Sequence, residues 1–193
     1  KTPAGCRYRL QLSDGSKVWL NAGSSLKFPV AFSEESREVF LEGEGFFEVV
    51  GNGAPFTVHA GEMDVSVMGT SFNISAYNED PSHKTTLVEG KVKVNSVSEN
   101  ASSKILKPNE QAIFDLSSES WEVKEVNAAF FTSWTQGKIE FNNENLEEVM
   151  KRLARWYDFS YTFENDEARQ YHFTARLDDE EKISTILEML ELT

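Results

Sequence analysis

The sequence predicts a mainly β fold, in which an all-β sandwich or roll is followed by a small α/β domain. Up to about residue 128, apolar and polar residues alternate between closely spaced turn signals, as in antiparallel strands. After Gly137 the apolar period changes from 2 to 3.6 residues. The 14 Phe, 4 Trp and 5 Tyr against 11 Gly also suit pleated sheets. We expect an all-β domain at residues 1–129 and an α/β domain at residues 133–193.

The strands of the first domain follow one another in short steps separated by turns. The first two form a hairpin around Asp14-Gly15. Residues 51–53 and 100–102 are among the later turn signals, since they are rich in Gly, Asn and Ser. The predicted strands are residues 7–12, 17–20, 25–28, 37–41, 45–50, 56–60, 63–67, 71–77, 84–89, 91–96, 103–106, 110–115 and 121–126.

The second domain reads as strand, helix, strand, then strand and helix. A strand at 137–141 precedes Asn143, which is predicted to cap a helix whose apolar residues run from Leu146 to Tyr157. Residues 159–164 and 170–175 alternate as strands. Asp178 and Glu181 resemble a capping box before a second amphipathic helix. Because such a helix normally returns a strand to the sheet, we expect this domain to be truncated at its C-terminus.

Charge and cysteine content exclude several functions. The 19 basic and 32 acidic residues give a net charge of −13, so binding to nucleic acid or anionic lipid is not expected. The single cysteine, Cys6, excludes an intrachain disulfide and a cysteine-built zinc site. Apolar runs are only a few residues long, far below the ~20 of a membrane helix.

No pattern for catalysis is found. His59, His83 and His172 have no second ligand at metal-binding spacing, and no serine stands in a Gly-x-Ser-x-Gly elbow. We therefore predict no enzyme activity, no catalytic residue, no metal and no cofactor. Aromatic residues at strand spacing, such as Trp19 and Phe72, favour a sandwich core over a sugar-stacking face. A carbohydrate-binding β-sandwich and a hydrolase with scattered carboxylates remain as alternatives.

Several sequence blocks, in this order, resemble the periplasmic part of FecR-type anti-sigma regulators. They are YRLQLSDGSKVWLNA at 8–22, SLKFP at 25–29, VFLEGEGFFEV at 39–49, PFTV at 55–58, VMGTSFNI at 67–74 and LVEGKV at 87–92. Trp134, residues 137–141 and the two helical segments resemble the C-terminal domain of many such regulators. That domain is similar to the short N-terminal domain of secretins and TonB-dependent receptors. The chain departs from the pattern at Cys6, where glycine is usual, and in lacking the last strand or strands of the C-terminal domain.

The resemblance implies the sensor portion of an anti-sigma factor. Such a protein relays a signal from an outer-membrane TonB-dependent transporter to a cytoplasmic extracytoplasmic-function sigma factor by protein–protein contact. It implies a periplasmic location within a single-pass inner-membrane protein. The membrane helix and the cytoplasmic domain that holds the sigma factor would precede Lys1 and are not in this chain. The transporter's signalling domain is the expected partner.

Four aromatic residues are candidates for contacting that partner: Tyr161, Phe163, Tyr171 and Phe173. They lie on two predicted strands of the second domain, where alternation turns one set of side chains away from the helices. An exposed edge strand there would offer backbone N–H and C=O groups for strand addition. The alternative is that all four belong to the core of a small domain that needs its aromatic residues to bury area.

Overall fold

The computed structural model describes residues 1–51, 53–97 and 103–191. The predicted turn residues 52 and 100–102, and the last two residues of the predicted domain 133–193, lie outside these ranges. The chain is mainly β, as predicted. The strands of the first part are β1 Tyr8–Gln11, β2 Lys17–Leu20, β3 Ser25–Lys27, β4 Arg37–Glu48, β5 Phe56–Ala60, β6 Met63–Val67, β7 Ser71–Ala76, β8 Ser82–Glu89, β9 Val92–Ser96, β10 Lys104–Leu106, β11 Glu110–Asp115 and β12 Ser120–Glu125.

These strands form two layers joined by one long strand. Sheet A has the order β1-β2-β4-β7-β8-β11-β12, and sheet B has the order β3-β4-β5-β6-β9-β10. The first half of β4 pairs in sheet B and the second half in sheet A, so the sandwich is closed as a roll along this strand. The sequence pattern predicts two strands here, residues 37–41 and 45–50, because Gly43 interrupts the apolar alternation.

Gly43 lies where β4 passes from one sheet to the other. Its φ of +92° is a left-handed conformation that glycine adopts without strain. A Cβ at this position would lie 2.5 Å from Ser24 Oγ, and that same hydroxyl accepts a 2.8 Å hydrogen bond from the backbone N–H of Glu44. Only glycine therefore allows β4 and Ser24 to approach this closely.

The core of the first part lies between the two sheets. Alternate residues of each strand point into it, and the side chains of Phe47, Phe56 and Phe72 are fully buried. Phe47 stacks on Phe72 of the same sheet at 5.2 Å between ring centroids and contacts Phe56 of sheet B at 6.4 Å. These aromatic residues fill the sandwich, as predicted for Phe72. Trp19 lies outside the core cluster, where it is half-buried against Phe46 and Arg9.

The C-terminal part has a separate small core. Its elements are α1 Ala128–Thr132, a 3-10 helix Ser133–Gln136, β13 Lys138–Asn145, α2 Leu146–Tyr157, a 3-10 helix Asp166–Gln170, β14 His172–Asp178 and α3 Ile183–Glu191. Strands β13 and β14 pair antiparallel. The apolar face of α2, with Val149 and Leu153, packs on Ile139 of β13 and on Ile186 of α3. The exact division between domains, placed at residues 129–133 by the sequence, stays a prediction.

Three predicted features of this part are wrong. Asn143 does not cap α2: it adopts φ +53° inside a bulge of β13, and Asn145 accepts the hydrogen bond from the N–H of Glu148. Asp178 ends β14, and α3 begins only at Ile183. Residues 159–164 form no ladder with another described strand. In each case the local pattern was present, but the bulge, the strand end or the pairing depends on distant residues.

Within the described residues, no helix is both long enough and apolar enough to span a membrane.

Candidate partner-binding site and interdomain junction

The four predicted contact residues do not share one surface. Phe173 lies in β14 and is only 9% exposed within the small core, whereas Tyr171, just before β14, is 61% exposed. Tyr161 and Phe163 are half-buried on the segment 159–164. The structure thus assigns Phe173 to packing and separates it from the other three. Whether any of them contacts a partner stays a prediction.

The segment 159–164 is an extended chain without a paired strand. Burial alternates along it, and the rings of Phe159, Tyr161 and Phe163 follow one another at 6.3 and 5.5 Å, as side chains two residues apart do on an extended backbone. Among the described residues, the backbone N–H and C=O groups of residues 160–164 have no backbone partner. The segment therefore offers the hydrogen-bonding groups of an edge strand.

Side-chain packing holds this segment against the body of the C-terminal part. Arg169 lies 4.4 Å over the ring of Phe163 and forms ion pairs with Glu147 of α2 and with Asp166. Desolvation raises the pKa of Tyr161, whose ring is partly covered by its neighbours. The aromatic residues thus anchor one face of the segment, while its backbone groups stay free.

Arg155, near the end of α2, joins the two parts of the chain. Its guanidinium donates to Glu79, forms an ion pair with Asp80 and lies 3.7 Å over the ring of Tyr77. Burial lowers the pKa of Arg155, but the attraction and hydrogen bond of Asp80, together with Tyr77 and Glu79, outweigh it, so the pKa lies above its ordinary value. The arginine is charged, and it holds α2 against the turn between β7 and β8.

Arg7, which precedes β1, makes a second connection between the two parts of the chain. Its guanidinium donates to the backbone carbonyl of Trp134, forms an ion pair with Asp179 and lies 4.4 Å over the ring of Trp156. The backbone N–H of Gly5, two residues earlier, donates to the carbonyl of Arg155. Residues 5–7, just before β1, thereby contact the 3-10 helix at 133–136, the end of α2 and the turn after β14.

A buried polar chain forms a third connection. The indole N–H of Trp134 donates to Asn73 Oδ1 at 3.1 Å, and Asn73 Nδ2 donates to Glu44 Oε1 at 2.9 Å. Asn21 Nδ2 donates to the second carboxylate oxygen of Glu44 at 2.7 Å. Protein atoms surround the Glu44 carboxylate closely, and this desolvation raises its pKa although both amides lower it. This hydrogen-bonded network links sheet A to the 3-10 helix Ser133–Gln136 of the C-terminal part.

The three histidines are placed in different surroundings. His59 Nδ1 donates to Asp64 Oδ1 at 2.6 Å, and His59 Nε2 lies 3.8 Å from Glu38 Oε2. His83 is 3% exposed, and burial lowers its pKa, so it is neutral near pH 7. His172 is exposed at the start of β14. Within the described ranges, no group of three or more His, Cys, Asp or Glu side chains is arranged to hold a metal ion.

The sequence alone does not identify the junction residues. Basic residues near the end of α2, among them Arg155, complement the helix dipole, and nothing in the local pattern distinguishes Arg155 or Glu44 from solvated residues. One signal was available: Asn73, Thr86 and Gln111 are uncharged polar residues at outward strand positions, where a solvated face more often carries charges. The three side chains are 1–3% exposed, and they lie on the face of sheet A that is turned toward the C-terminal part.

Comparisons with known proteins agree on one class. Residues 1–93 match the model of the family described as FecR protein, and residues 138–193 match that described as FecR, C-terminal. Two crystal structures of a candidate anti-sigma factor from Parabacteroides distasonis ATCC 8503 are similar in structure. One, with TM-score 0.91 and 30% identity, covers 100% of this chain and 89% of that chain. The other, with TM-score 0.85 and 30% identity, covers 99% and 88%. No curated protein matches the chain significantly.

The roll, the small β-α part and these matches define an anti-sigma regulatory protein. Its class is regulatory rather than typically enzymatic. The chain belongs to the FecR family of anti-sigma factors, as its sequence blocks indicated.

Proposed function

We propose that this chain is the periplasmic sensor portion of an anti-sigma factor. It receives a signal from an outer-membrane TonB-dependent transporter by binding the transporter's signalling domain. The signal passes to an extracytoplasmic-function sigma factor held by a cytoplasmic part outside these 193 residues, across a single inner-membrane helix. Family membership supports the regulatory role.

The observation that carries the partner-binding step is the unpaired extended segment 159–164. An extended partner peptide can add to such a segment through main-chain hydrogen bonds, and its affinity then depends little on the side chains that point outward. Tyr161 and Phe163 support this mode by fixing one face of the segment against its neighbours. Tyr171, which is largely exposed, is the remaining candidate for direct side-chain contact. Phe173 serves the small core instead.

Thr162→Pro tests strand addition directly. Thr162 is exposed, and its backbone N–H has no backbone partner within the described chain, so proline removes a donor that only the partner would use. The preceding residue, Tyr161, lies on an extended stretch, which is the conformation that proline favours there. We expect an unchanged melting temperature and at least about tenfold weaker binding to a signalling domain, measured by biolayer interferometry against a panel of transporter signalling domains.

Thr162→Ala is the matched control, since it changes the same side chain but keeps the N–H. It should bind as the unmodified chain does. Glu147→Lys reverses a half-buried charge of α2, and Arg169 keeps its ion pair with Asp166 in this variant. The change should alter the association rate and its salt dependence more than the dissociation rate. If Thr162→Pro binds normally while Glu147→Lys abolishes binding, the helix face is the docking surface and strand addition is wrong.

A further inference from the structure

A large cleft separates sheet A from the C-terminal part. Its volume is about 740 Å³, within the range of about 300–1,000 Å³ that small-molecule sites occupy. Outward side chains of β7, β8, β11 and β12 form its floor, while β13, α2 and the start of β14 form the opposite wall. The cleft lies away from the extended segment 159–164, none of whose residues lines it.

The floor of the cleft is a row of amides and hydroxyls. Cross-strand pairing places Asn73 next to Thr86, Thr86 next to Gln111 and Gln111 next to Lys124, on four neighbouring strands. Gln111 Nε2 donates to Thr86 Oγ1 at 2.8 Å, and both residues are at most 2% exposed. This bond uses neither the Thr86 hydroxyl proton nor the Gln111 carbonyl oxygen, which are a further donor and acceptor of residues that line the cleft. Both β8 and β11 are paired on each side, so the floor offers no free strand edge.

Two lysines flank this row without carboxylate partners. Neither Lys84 nor Lys124 forms an ion pair within the part of the chain that the structure describes. They lie on the strands on either side of β11, two residues out of register, which places their Cα atoms about 12 Å apart. Two long side chains at this separation can reach successive negative groups of one ligand.

Most carboxylates of the cleft are already engaged. Asp80 pairs with Arg155, Glu144 with Arg152, and Glu148 with Lys151, while Glu44 accepts from two amides. Glu125 stands exposed at the end of β12. The ammonium groups of Lys84 and Lys124 are therefore available to an anion in the cleft.

The sides of the cleft add aromatic and amide groups. Phe130 and Phe131 are half-buried at one side, with their ring centroids 5.1 Å apart. The bulge of β13 contains Asn142 and Asn143, which line the opposite wall together with His172. Bulges often redirect side chains toward a ligand site. Aromatic rings that can face a pyranose, with amides and hydroxyls that can bond its hydroxyl groups, suit a saccharide.

We propose that this cleft binds a short acidic oligosaccharide. Its hydroxyl groups bond the row formed by Thr86 and Gln111, its carboxylates meet Lys84 and Lys124, and a ring face rests on the aromatic side. An acidic peptide would satisfy the lysines, but it would leave the amide and hydroxyl row with fewer partners and find no strand edge to pair with. The site goes beyond the relay proposed above and does not depend on it.

Isothermal titration of the 193-residue chain with tri-galacturonic acid tests the proposal, with maltotriose and hexaglutamate as comparison probes. We expect tri-galacturonic acid to bind, and to bind more tightly than either comparison probe. The double variant Lys84→Gln/Lys124→Gln should weaken its affinity at least about tenfold. Quenching or shift of the fluorescence of Trp134, which lines the cleft, should accompany binding.

Lys93→Gln is the matched control, because Lys93 is an exposed lysine of β9 on sheet B, away from the cleft. It should bind tri-galacturonic acid as the unmodified chain does. Absence of binding overturns the proposal, and so does an equal loss in Lys93→Gln, which would indicate general charge attraction. Tighter binding of hexaglutamate would also overturn it and would assign the cleft to an acidic peptide.

Discussion

Replacing Arg155 with alanine removes the side chain that connects α2 to the turn between β7 and β8. Three interactions are lost together: the bond to Glu79, the ion pair with Asp80 and the contact with the ring of Tyr77. The backbone carbonyl of Arg155 still accepts from Gly5 and Arg7 still lies over Trp156, so the helix keeps other connections to the first part. The variant therefore tests the side chain alone.

The expected loss of unfolding free energy follows from the burial of the Arg155–Asp80 ion pair. The side chains of Arg155 and Asp80 are only 14% and 15% exposed, so the variant leaves the Asp80 carboxylate without its partner in a poorly solvated position. Breaking a buried pair costs about 3–5 kcal/mol, and residual solvent contact places this case at the lower end, about 3 kcal/mol. Glu79 is 58% exposed and adds little. For a unit of some 60 residues, this loss lowers the melting temperature by roughly 12 °C or more.

Differential scanning calorimetry measures the effect. We expect Arg155→Ala to lower the transition of the C-terminal part and to separate it from that of the roll. Arg176→Ala is the control: Arg176 is 63% exposed and pairs with Glu140 within the two-stranded sheet, so its loss should cost less than about 1 kcal/mol. Equal shifts in the two variants would refute the assignment of Arg155 to the junction.

Two further predictions concern the roll. Gly43→Ala should lower the unfolding free energy measured in urea by about 3 kcal/mol, because its Cβ would lie 2.5 Å from Ser24 and its φ would be strained. Gly23→Ala, with φ +70° and its nearest neighbour at 3.9 Å, should lower it by only about 1 kcal/mol. Equal losses would contradict the steric argument. Burial raises the pKa of Asp14, but hydrogen bonds from Ser16 and Arg37 outweigh it and leave the pKa below its ordinary value. This stabilisation is present above the unfolded pKa of about 3.9 and is lost as pH falls through the lower folded value. The unfolding free energy, measured in urea from about pH 6 down to pH 2, should therefore fall less steeply with pH in Asp14→Asn than in the unmodified chain. Parallel curves for the two proteins would contradict this prediction.

Local periodicity correctly predicted most of the secondary structure. Strands β2, β5, β6 and β11 have their predicted bounds, because each alternates between a core and an exposed face and is bounded by turn residues. Helix α2 follows from its apolar stripe, which packs on β13. The ordered sequence blocks also indicated the FecR family, which the family models and the structural match show.

The junction and the cleft could not be predicted in this way. Arg155 has the same local pattern as any basic residue near a helix end, and its partners Glu79 and Asp80 lie more than seventy residues earlier in the chain. Residues 159–164 alternate because one face packs on its neighbours, and this pattern is the same with or without a paired strand.

The sequence by itself determined the mainly β class, the helical C-terminal region and the family, because side-chain alternation and block order are properties of neighbouring residues. Only the tertiary structure decided that β4 belongs to both sheets, that Asn73, Thr86 and Gln111 lie under the C-terminal part, and that residues 160–164 keep their backbone groups free. The physical reason is that strand pairing and burial of a polar face depend on which distant segments meet. Hydrogen bonding and burial between distant segments produce no periodic pattern of residues in the sequence.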